Sequence, residues 1–183
     1  MVYIHLATGF EEVEALTVVD VLRRAGVDAK TVSVTGENLV VGTHGIPVLA
    51  DLLFEEADYD ACEMIVLPGG LPGATNLGEH AGLTEKIREF AKAGQAGKKV
   101  AAICAAPMVL ADCGILEGVE ATIYPGLEAH LQGATHTGAS VTVSGNIITG
   151  QGPALAMEFA LALVEELQGP LVRAQVADGL LFD

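Results

Sequence analysis

The chain has 183 residues, 51% of them apolar, and its nine basic and 24 acidic residues give a formal net charge of −15. This length suffices for a full core, and we expect a single domain over residues 1–183. The acid excess argues against nucleic acid as a primary ligand, because phosphate binding needs a basic face. No apolar run approaches the roughly 18 residues of a membrane span. Residues 1–7 lack the basic start of a signal peptide, so we expect a cytoplasmic protein.

The spacing of cysteines and histidines predicts no bound metal. Cys62, Cys104 and Cys113 form no C-x-x-C pair and cannot all pair with one another, which is typical of a reducing compartment with at least one free thiol. His130 and His136 are six apart, without an H-E-x-x-H or related spacing. The glycine-rich run at 68–73 is neither a G-x-G-x-x-G motif nor a P-loop. We therefore expect neither a metal nor a cofactor.

Short apolar runs alternate with amphipathic stretches along the chain. In the first half we predict a strand at 2–7, a helix at 11–25, a strand at 29–34, a β-hairpin at 38–50 and a strand at 64–67. A helix at 83–93, a strand at 100–104, a short helix at 107–113 and a strand at 121–124 follow. The last elements are a hairpin or a bend formed by 141–143 and 147–149, and helices at 154–167 and 172–178. Thr8 and Glu11 match a capping box before the first helix, and Gly26 ends that helix.

This alternation predicts an α/β sandwich with a mostly parallel sheet, to which the hairpin at 38–50 is added. Ligands in such folds bind beyond the carboxyl ends of the strands. That rule selects the segments after Ala7, Leu67 and Cys104 as candidate parts of a site.

Cys104 stands where a strand meets the small-residue turn Ala105-Ala106 and the helix that Pro107 opens. This is the stereochemistry of a nucleophile elbow, with sulfur as the nucleophile. The thiolate is the reactive form, and we expect the helix N-terminus to lower its pKa. The alternative is a buried strand cysteine with a purely structural role.

Glu14 lies on the first predicted helix, on the same face as Phe10 and Val18. A carboxyl on an apolar flank is costly to ionise, so its pKa should rise. It could then hydrogen-bond a thiolate or act as a general acid or base. The alternative is a surface glutamate in an acidic first turn, like its neighbours Glu11 and Glu12.

Gly69 and Gly70 follow a buried strand, where backbone N–H groups can face a ligand closely, as in an oxyanion hole. An ordinary turn is the alternative. His44 lies at the tip of the predicted hairpin, and a solvated loop residue is its simplest interpretation.

Five collinear stretches carry a resemblance to a known family. They are LATGFEEVE at 6–14, VLRRAG at 21–26, LPGG through NL at 67–77, AAICAAP at 101–107, and GQGP through EFAL at 150–161. Together they resemble the ThiJ/PfpI superfamily, most closely its branch that contains the Parkinson-disease-associated protein. The resemblance implies a flavodoxin-like three-layer sandwich that forms a homodimer. It places the reactive cysteine at Cys104, its hydrogen-bonding glutamate at Glu14, and backbone donors around the sulfur at Gly69, Gly70 and Ala105.

The activity that the resemblance implies is a glutathione-independent glyoxalase or deglycase, which acts on methylglyoxal, glyoxal or their early adducts and gives 2-hydroxy acids. Other members are described as oxidative-stress sensors, as chaperones or, among distant ones, as peptidases. Two substrate-binding positions depart from the family pattern. Tyr124 stands where the branch has a histidine, so a Cys-His pair is absent and the peptidase interpretation is weakened. His44 stands where relatives often have an arginine near the partner subunit's site, so an anion pocket there would be altered.

Overall fold

Short strands that are buried on both faces form the centre of the fold. A computed structural model describes residues 1–182, apart from the side chain of Gln95. The strands are β1 (Val2–Leu6), β2 (Ala29–Ser33), β3 (Leu39–Val41), β4 (Pro47–Leu49), β5 (Leu52–Leu53), β6 (Met64–Leu67), β7 (Lys99–Ile103), β8 (Glu120–Ala121), β9 (Thr135–His136), β10 (Val141–Ser144) and β11 (Ile147–Gly150). The helices are α1 (Glu12–Arg24), α2 (Gly73–Glu79), α3 (Ala81–Lys92), α4 (Pro107–Asp112), α5 (Ala156–Gln168) and α6 (Pro170–Leu180).

The main sheet has seven strands in the order β10-β11-β7-β6-β1-β2-β5. Every neighbouring pair is parallel except the β10–β11 hairpin. Successive side chains of a strand point to opposite faces, and on β1 the residues Ile4 and Tyr3 accordingly belong to two separate apolar cores. One core lies under α1, α5 and α6, and the other under α2, α3 and α4. The predicted flavodoxin-like three-layer α/β sandwich is thereby confirmed.

The hairpin predicted at 38–50 forms as β3 and β4. Contrary to the prediction, it does not join the main sheet. The two strands make a separate two-stranded antiparallel sheet. The edge position beside β2 is taken instead by the next segment of the chain, β5. The hairpin is attached to the start of α1, where Thr43 N–H donates to the carbonyl of Phe10.

The strand predicted at 121–124 is also different in the structure. Only Glu120–Ala121 is extended, and it pairs with β9 outside the main sheet. Two backbone N–H groups after β8 donate to residues of the central part of the fold. Thr122 N–H donates to Oγ1 of Thr149 on β11, and Tyr124 N–H donates to the carbonyl of Cys104, which follows β7. Helix α2 was not predicted, because two glycines interrupt its seven residues.

The predicted capping box of Thr8 and Glu11 is wrong. Helix α1 begins at Glu12, and the residue before it, Glu11, makes no side-chain capping hydrogen bond. Its backbone N–H donates instead to the carbonyl of Gly69 at 2.9 Å, which ties the start of α1 to the end of β6. Gly26 ends the helix as predicted, with φ at +75°.

The six helices have between 6 and 13 residues. Within residues 1–182, no helix is long and apolar enough to cross a membrane.

Candidate active site

Cys104 occupies a sharp corner between β7 and α4. Its φ of +65° is rare for a residue with a side chain. Two hydrogen bonds of 2.9 Å hold this conformation: its N–H donates to the carbonyl of Gly150, and its carbonyl accepts from the N–H of Tyr124. A strained backbone persists only where its surroundings over-determine it. The corner has the geometry of the predicted nucleophile elbow, and only 9% of Cys104 is exposed.

Glu14 is fully buried beside this corner. Its Oε2 accepts a hydrogen bond of 2.7 Å from Gly69 N–H. Its Oε1 is buried without a hydrogen-bond partner among the described residues, and the Cys104 side chain is close enough to the carboxyl to perturb its pKa. The surface interpretation of Glu14 is therefore wrong. Its neighbours Glu11 and Glu12 are buried as well.

Gly69 lies between the two side chains of this pair. A Cβ at Gly69 would stand 2.6 Å from Cys104 Cβ and 2.7 Å from Glu14 Oε2, so no larger residue fits. The prediction that Gly69 N–H donates to the sulfur is wrong, because this N–H donates to Oε2 of Glu14. The N–H groups that face the sulfur belong to Gly70 and Ala105.

The environment changes the acidity of both groups. Burial raises the pKa of Glu14 to about 7, although the hydrogen bond from Gly69 N–H opposes this. Burial also raises the pKa of the Cys104 thiol, and the adjacent Glu14 carboxylate raises it further, while the N–H groups of Gly70 and Ala105 oppose both. The expectation that a helix N-terminus lowers the thiol pKa is wrong, since α4 begins three residues later and burial dominates.

Two acidic groups in contact in a buried site cannot both ionise readily. We therefore interpret Cys104 and Glu14 as a coupled pair in which at most one of the two groups is ionised near neutral pH. When Glu14 is protonated, its charge no longer opposes the thiolate, and the N–H groups of Gly70 and Ala105 stabilise the sulfur anion. The arrangement can thus supply a nucleophile and an acid–base group.

Tyr124 and His44 lie in different places relative to the thiol. The ring of Tyr124 is about half exposed and lines a groove of about 390 Å³ with Gly152, Pro153 and Leu155 among its walls. The backbone N–H of Tyr124 donates to the carbonyl of Cys104, but Cys104 itself does not line this groove. His44 contacts Glu12 and Glu11 and is not among the groups that perturb the Cys104 thiol.

The remaining cysteines have the environment of structural thiols. Cys62 and Cys113 are both buried, and burial raises the pKa of each thiol. The Cys62 thiol donates to the carbonyl of Met64.

Three residues of this region were not predicted from the sequence. Gly150 supplies the acceptor for Cys104 N–H, and a Cβ there would meet the ring of Phe159 at 2.7 Å. Glu11 and Glu12 are brought together with His44 by the fold. The G-Q-G-P stretch at 150–153 was a signal for Gly150, whereas the contact of Glu12 with His44 joins residues 32 apart and has no local signature.

The model of the DJ-1/PfpI family matches residues 1–166. The chain belongs to the DJ-1/PfpI family. It is 37% identical over 178 residues to Protein dj-1beta of Drosophila melanogaster. The matched region covers 96% of this chain and 94% of that protein. It is 35% identical over 150 residues to a protein of Pyrococcus abyssi named a deglycase, with 80% of this chain and 87% of that protein covered.

The fold agrees equally well with solved structures of the DJ-1/PfpI family. Oxidized DJ-1 of Toxoplasma gondii superposes with a TM-score of 0.92 at 35% identity, covering 99% of this chain and 97% of that one. Some relatives are much longer: the chain spans 38% of Protein DJ-1 homolog B of Arabidopsis thaliana, to which it is 36% identical. The family resemblance predicted from five stretches is confirmed.

Replacing Gly70 with alanine should destabilise this DJ-1/PfpI member more than the same change at Gly26. Both glycines have positive φ, which costs alanine about 1–2 kcal/mol. At Gly70 the new Cβ would also stand 2.5 Å from the carbonyl oxygen of Gly9 and 2.6 Å from Glu11 N, whereas at Gly26 nothing lies within 4 Å. Urea unfolding should show a further loss of about 1–3 kcal/mol for Gly70→Ala. Equal losses would mean that the close packing around Gly70 is absent in solution.

The raised pKa of Glu14 predicts a specific pH dependence of stability. Between about pH 4.5 and pH 7 the folded protein keeps a proton on Glu14 that the unfolded chain loses. The free energy of unfolding should therefore fall as pH rises through this window, by at most about 1.4 kcal/mol per pH unit from this group, and level off above it. Glu14→Gln lacks the titrating group, so the difference between wild type and variant isolates it. A difference that stays constant from pH 4 to pH 8 would contradict the assignment.

Proposed function

We propose that this DJ-1/PfpI member is a cysteine-dependent glyoxalase or deglycase that uses no cofactor. Its substrates would be methylglyoxal, glyoxal or their early adducts, and its products 2-hydroxy acids. The observation that carries the proposal is the buried pair of Cys104 and Glu14, with the N–H groups of Gly70 and Ala105 facing the sulfur. The relative from Pyrococcus abyssi that is named a deglycase supports it.

The first step forms the bond between enzyme and substrate. The carboxylate of Glu14 takes the proton of the Cys104 thiol, and the thiolate adds to the aldehyde carbon of methylglyoxal. The aldehyde oxygen becomes an oxyanion, which the backbone N–H groups of Gly70 and Ala105 are positioned to stabilise. Return of the proton from Glu14 to this oxygen gives a hemithioacetal.

The second step moves a proton between the two carbons of the adduct. Glu14 removes the proton from the former aldehyde carbon and delivers it to the former ketone carbon, while the hydroxyl proton of the hemithioacetal passes to the former ketone oxygen. The hemithioacetal thereby becomes the isomeric thioester of a 2-hydroxy acid. A group with a pKa near 7 suits this role, because it both accepts and donates protons readily at neutral pH. Water then hydrolyses the thioester, releasing lactate and restoring the thiol. The net reaction adds one water to methylglyoxal without any change in overall oxidation state.

A second candidate function is redox sensing through the same thiol. A structure of the Toxoplasma gondii relative is of an oxidized form. In this chain a peroxide would oxidise the Cys104 thiolate to a sulfenic acid, with release of hydroxide. A second equivalent of peroxide would give the sulfinic acid. A protonated Glu14 could then donate a hydrogen bond to the oxidised sulfur, since its Oε1 has no other partner among the described residues.

Steady-state kinetics on methylglyoxal and glyoxal should separate these two functions. We expect lactate from methylglyoxal without glutathione, no turnover by Cys104→Ser, and a loss of about 10²–10⁴-fold in kcat for Glu14→Gln because proton transfer is removed. Cys113→Ser is the matched control and should keep wild-type rates. Full activity of Cys104→Ser would exclude the glyoxalase mechanism. A mass increase at Cys104 in mild peroxide, in a protein that does not turn over either aldehyde, would favour the sensor.

We also propose that the protein is a homodimer through the face formed by α1 and the β3–β4 hairpin. This face exposes six large apolar side chains: Val13, Leu16, Leu39, Val41, Ile46 and Leu49. The hairpin is attached to the start of α1 by the hydrogen bonds between Glu12 and His44, so the two elements that carry these side chains adjoin on the surface. Exposed apolar patches of this kind mark interaction surfaces. A second copy fits best, because a twofold dimer lets a single self-complementary patch cover itself.

Substituting Leu49 with glutamate should weaken this dimer. Leu49 is 72% exposed, so the change places a charge in the proposed interface without disturbing the core. Light scattering after size exclusion should show a dimer for wild type and a monomer for Leu49→Glu at micromolar concentration. Leu171→Glu, at an 80% exposed position on α6, is the control and should remain dimeric. A monomeric wild type, or a dimer that Leu49→Glu leaves intact, would contradict the proposal.

A further inference from the structure

The two backbone N–H groups that face the Cys104 sulfur belong to peptide groups with a common arrangement. One is the N–H of Gly70, in the peptide group that joins Gly69 to Gly70. The other is the N–H of Ala105, in the peptide group that joins Cys104 to Ala105. Both peptide bonds are trans. In a trans peptide group the C=O and the N–H point in opposite directions within one plane, so the carbonyls of Gly69 and Cys104 point away from the sulfur.

Each of these carbonyls is held on its far side by a backbone N–H from a distant part of the chain. Glu11 N–H donates to the carbonyl of Gly69 at 2.9 Å, and Tyr124 N–H donates to the carbonyl of Cys104 at 2.9 Å. Because a peptide group is planar and stiff, a hydrogen bond that fixes its C=O also fixes the direction of its N–H. The same bond polarises the peptide group, which makes its N–H a stronger donor.

The other hydrogen bonds of the glycine loop hold different peptide groups. The N–H of Gly69 donates to Glu14, which fixes the peptide group before the one that joins Gly69 to Gly70. The carbonyl of Gly70 accepts from the N–H of Ala74, which fixes the peptide group after it. The bond from Glu11 therefore acts directly on the plane that carries the N–H of Gly70.

We infer that the backbone N–H groups of Glu11 and Tyr124 are positioning groups for the two hydrogen-bond donors of the sulfur. Each holds from behind the peptide group whose N–H faces the Cys104 thiolate and, in the proposed reaction, the oxyanion. This role rests on the proposed function only where it concerns the oxyanion, because the effect on the thiolate is measurable with no aldehyde present. It is a role of main-chain atoms, separate from whatever the two side chains do.

Proline at position 11 removes the first of these N–H groups at small cost to the backbone. Glu11 has a φ of −77°, which lies within the range that proline adopts. Helix α1 begins at Glu12, so the lost N–H takes no part in the helical hydrogen bonds. Glu11→Ala is the matched control, since it also loses the carboxylate but keeps the N–H. Tyr124→Pro and Tyr124→Ala form a second pair, in which both variants lose the ring.

The experiment measures the rate at which iodoacetamide alkylates Cys104 near neutral pH, followed by mass spectrometry of the peptide that contains this residue. The thiolate is the reactive form, so the rate reports the thiolate fraction. Each proline variant should react at least about tenfold more slowly than its alanine partner, which is the effect of losing one hydrogen bond to a charged group. A purely structural defect has the opposite sign. Only 9% of Cys104 is exposed, and local opening would speed the reaction.

Equal or faster alkylation in a folded proline variant would exclude the role of that N–H, and the same result in both pairs would overturn the proposal. Circular dichroism shows whether each variant is folded. If both proline variants are unfolded, an ester in place of the peptide bond between Phe10 and Glu11 removes the same hydrogen without adding a ring. Alkylation of that ester variant at the wild-type rate would then overturn the role of Glu11.

Turnover of methylglyoxal separates this proposal from the proposed function. A wild type that forms no lactate contradicts the glyoxalase mechanism, and the alkylation rates still decide whether the two N–H groups position the donors. Where lactate forms, the proline variants should lower kcat more than they raise KM, because the donors act on charge that develops after the substrate has bound.

Discussion

The hydrogen bond from Gly69 N–H to the buried carboxyl of Glu14 is the interaction on which the rest of the site depends. It fixes α1 against the end of β6, and a second bond, from Glu11 N–H to the Gly69 carbonyl, holds the same two segments from the other direction. The elements approach so closely that Gly70 and Gly73 have no room for a Cβ. The helix, the glycine loop and the elbow are therefore packed directly against one another.

The close approach of these elements brings the Glu14 carboxyl and the Cys104 thiol together in a buried place. A carboxyl and a thiol that meet in a buried place compete for ionisation, and the protein does not relieve the competition with a nearby base. It places backbone N–H groups around the sulfur and allows at most one negative charge on Cys104 and Glu14 near neutral pH. Both proposed functions, addition to an aldehyde and oxidation by peroxide, would use the same thiol and the same carboxyl.

The alternation of strands and helices was enough to predict the sandwich, because buried parallel strands are continuous apolar runs. The elbow at Cys104 and the carboxyl of Glu14 were also predicted, since a strand–turn–Pro sequence and an apolar helix face are local patterns. The predictions that failed depended on contacts between distant parts of the chain. The hairpin could not be placed, because β5 competes for the same sheet edge. The Gly69 N–H was assigned to the sulfur because one stretch of chain does not reveal the partner of a backbone N–H. The pKa of the Cys104 thiol was expected to fall because one stretch of chain does not reveal how deeply a side chain is buried.

The positive φ of Cys104 lowers the folding stability at the corner that holds the thiol. A left-handed conformation costs a residue with a Cβ about 1–3 kcal/mol, and glycine would avoid most of that cost. A chain with glycine at position 104 would thus gain backbone stability as it loses the thiol. Folding stability alone would therefore favour glycine over cysteine at this corner.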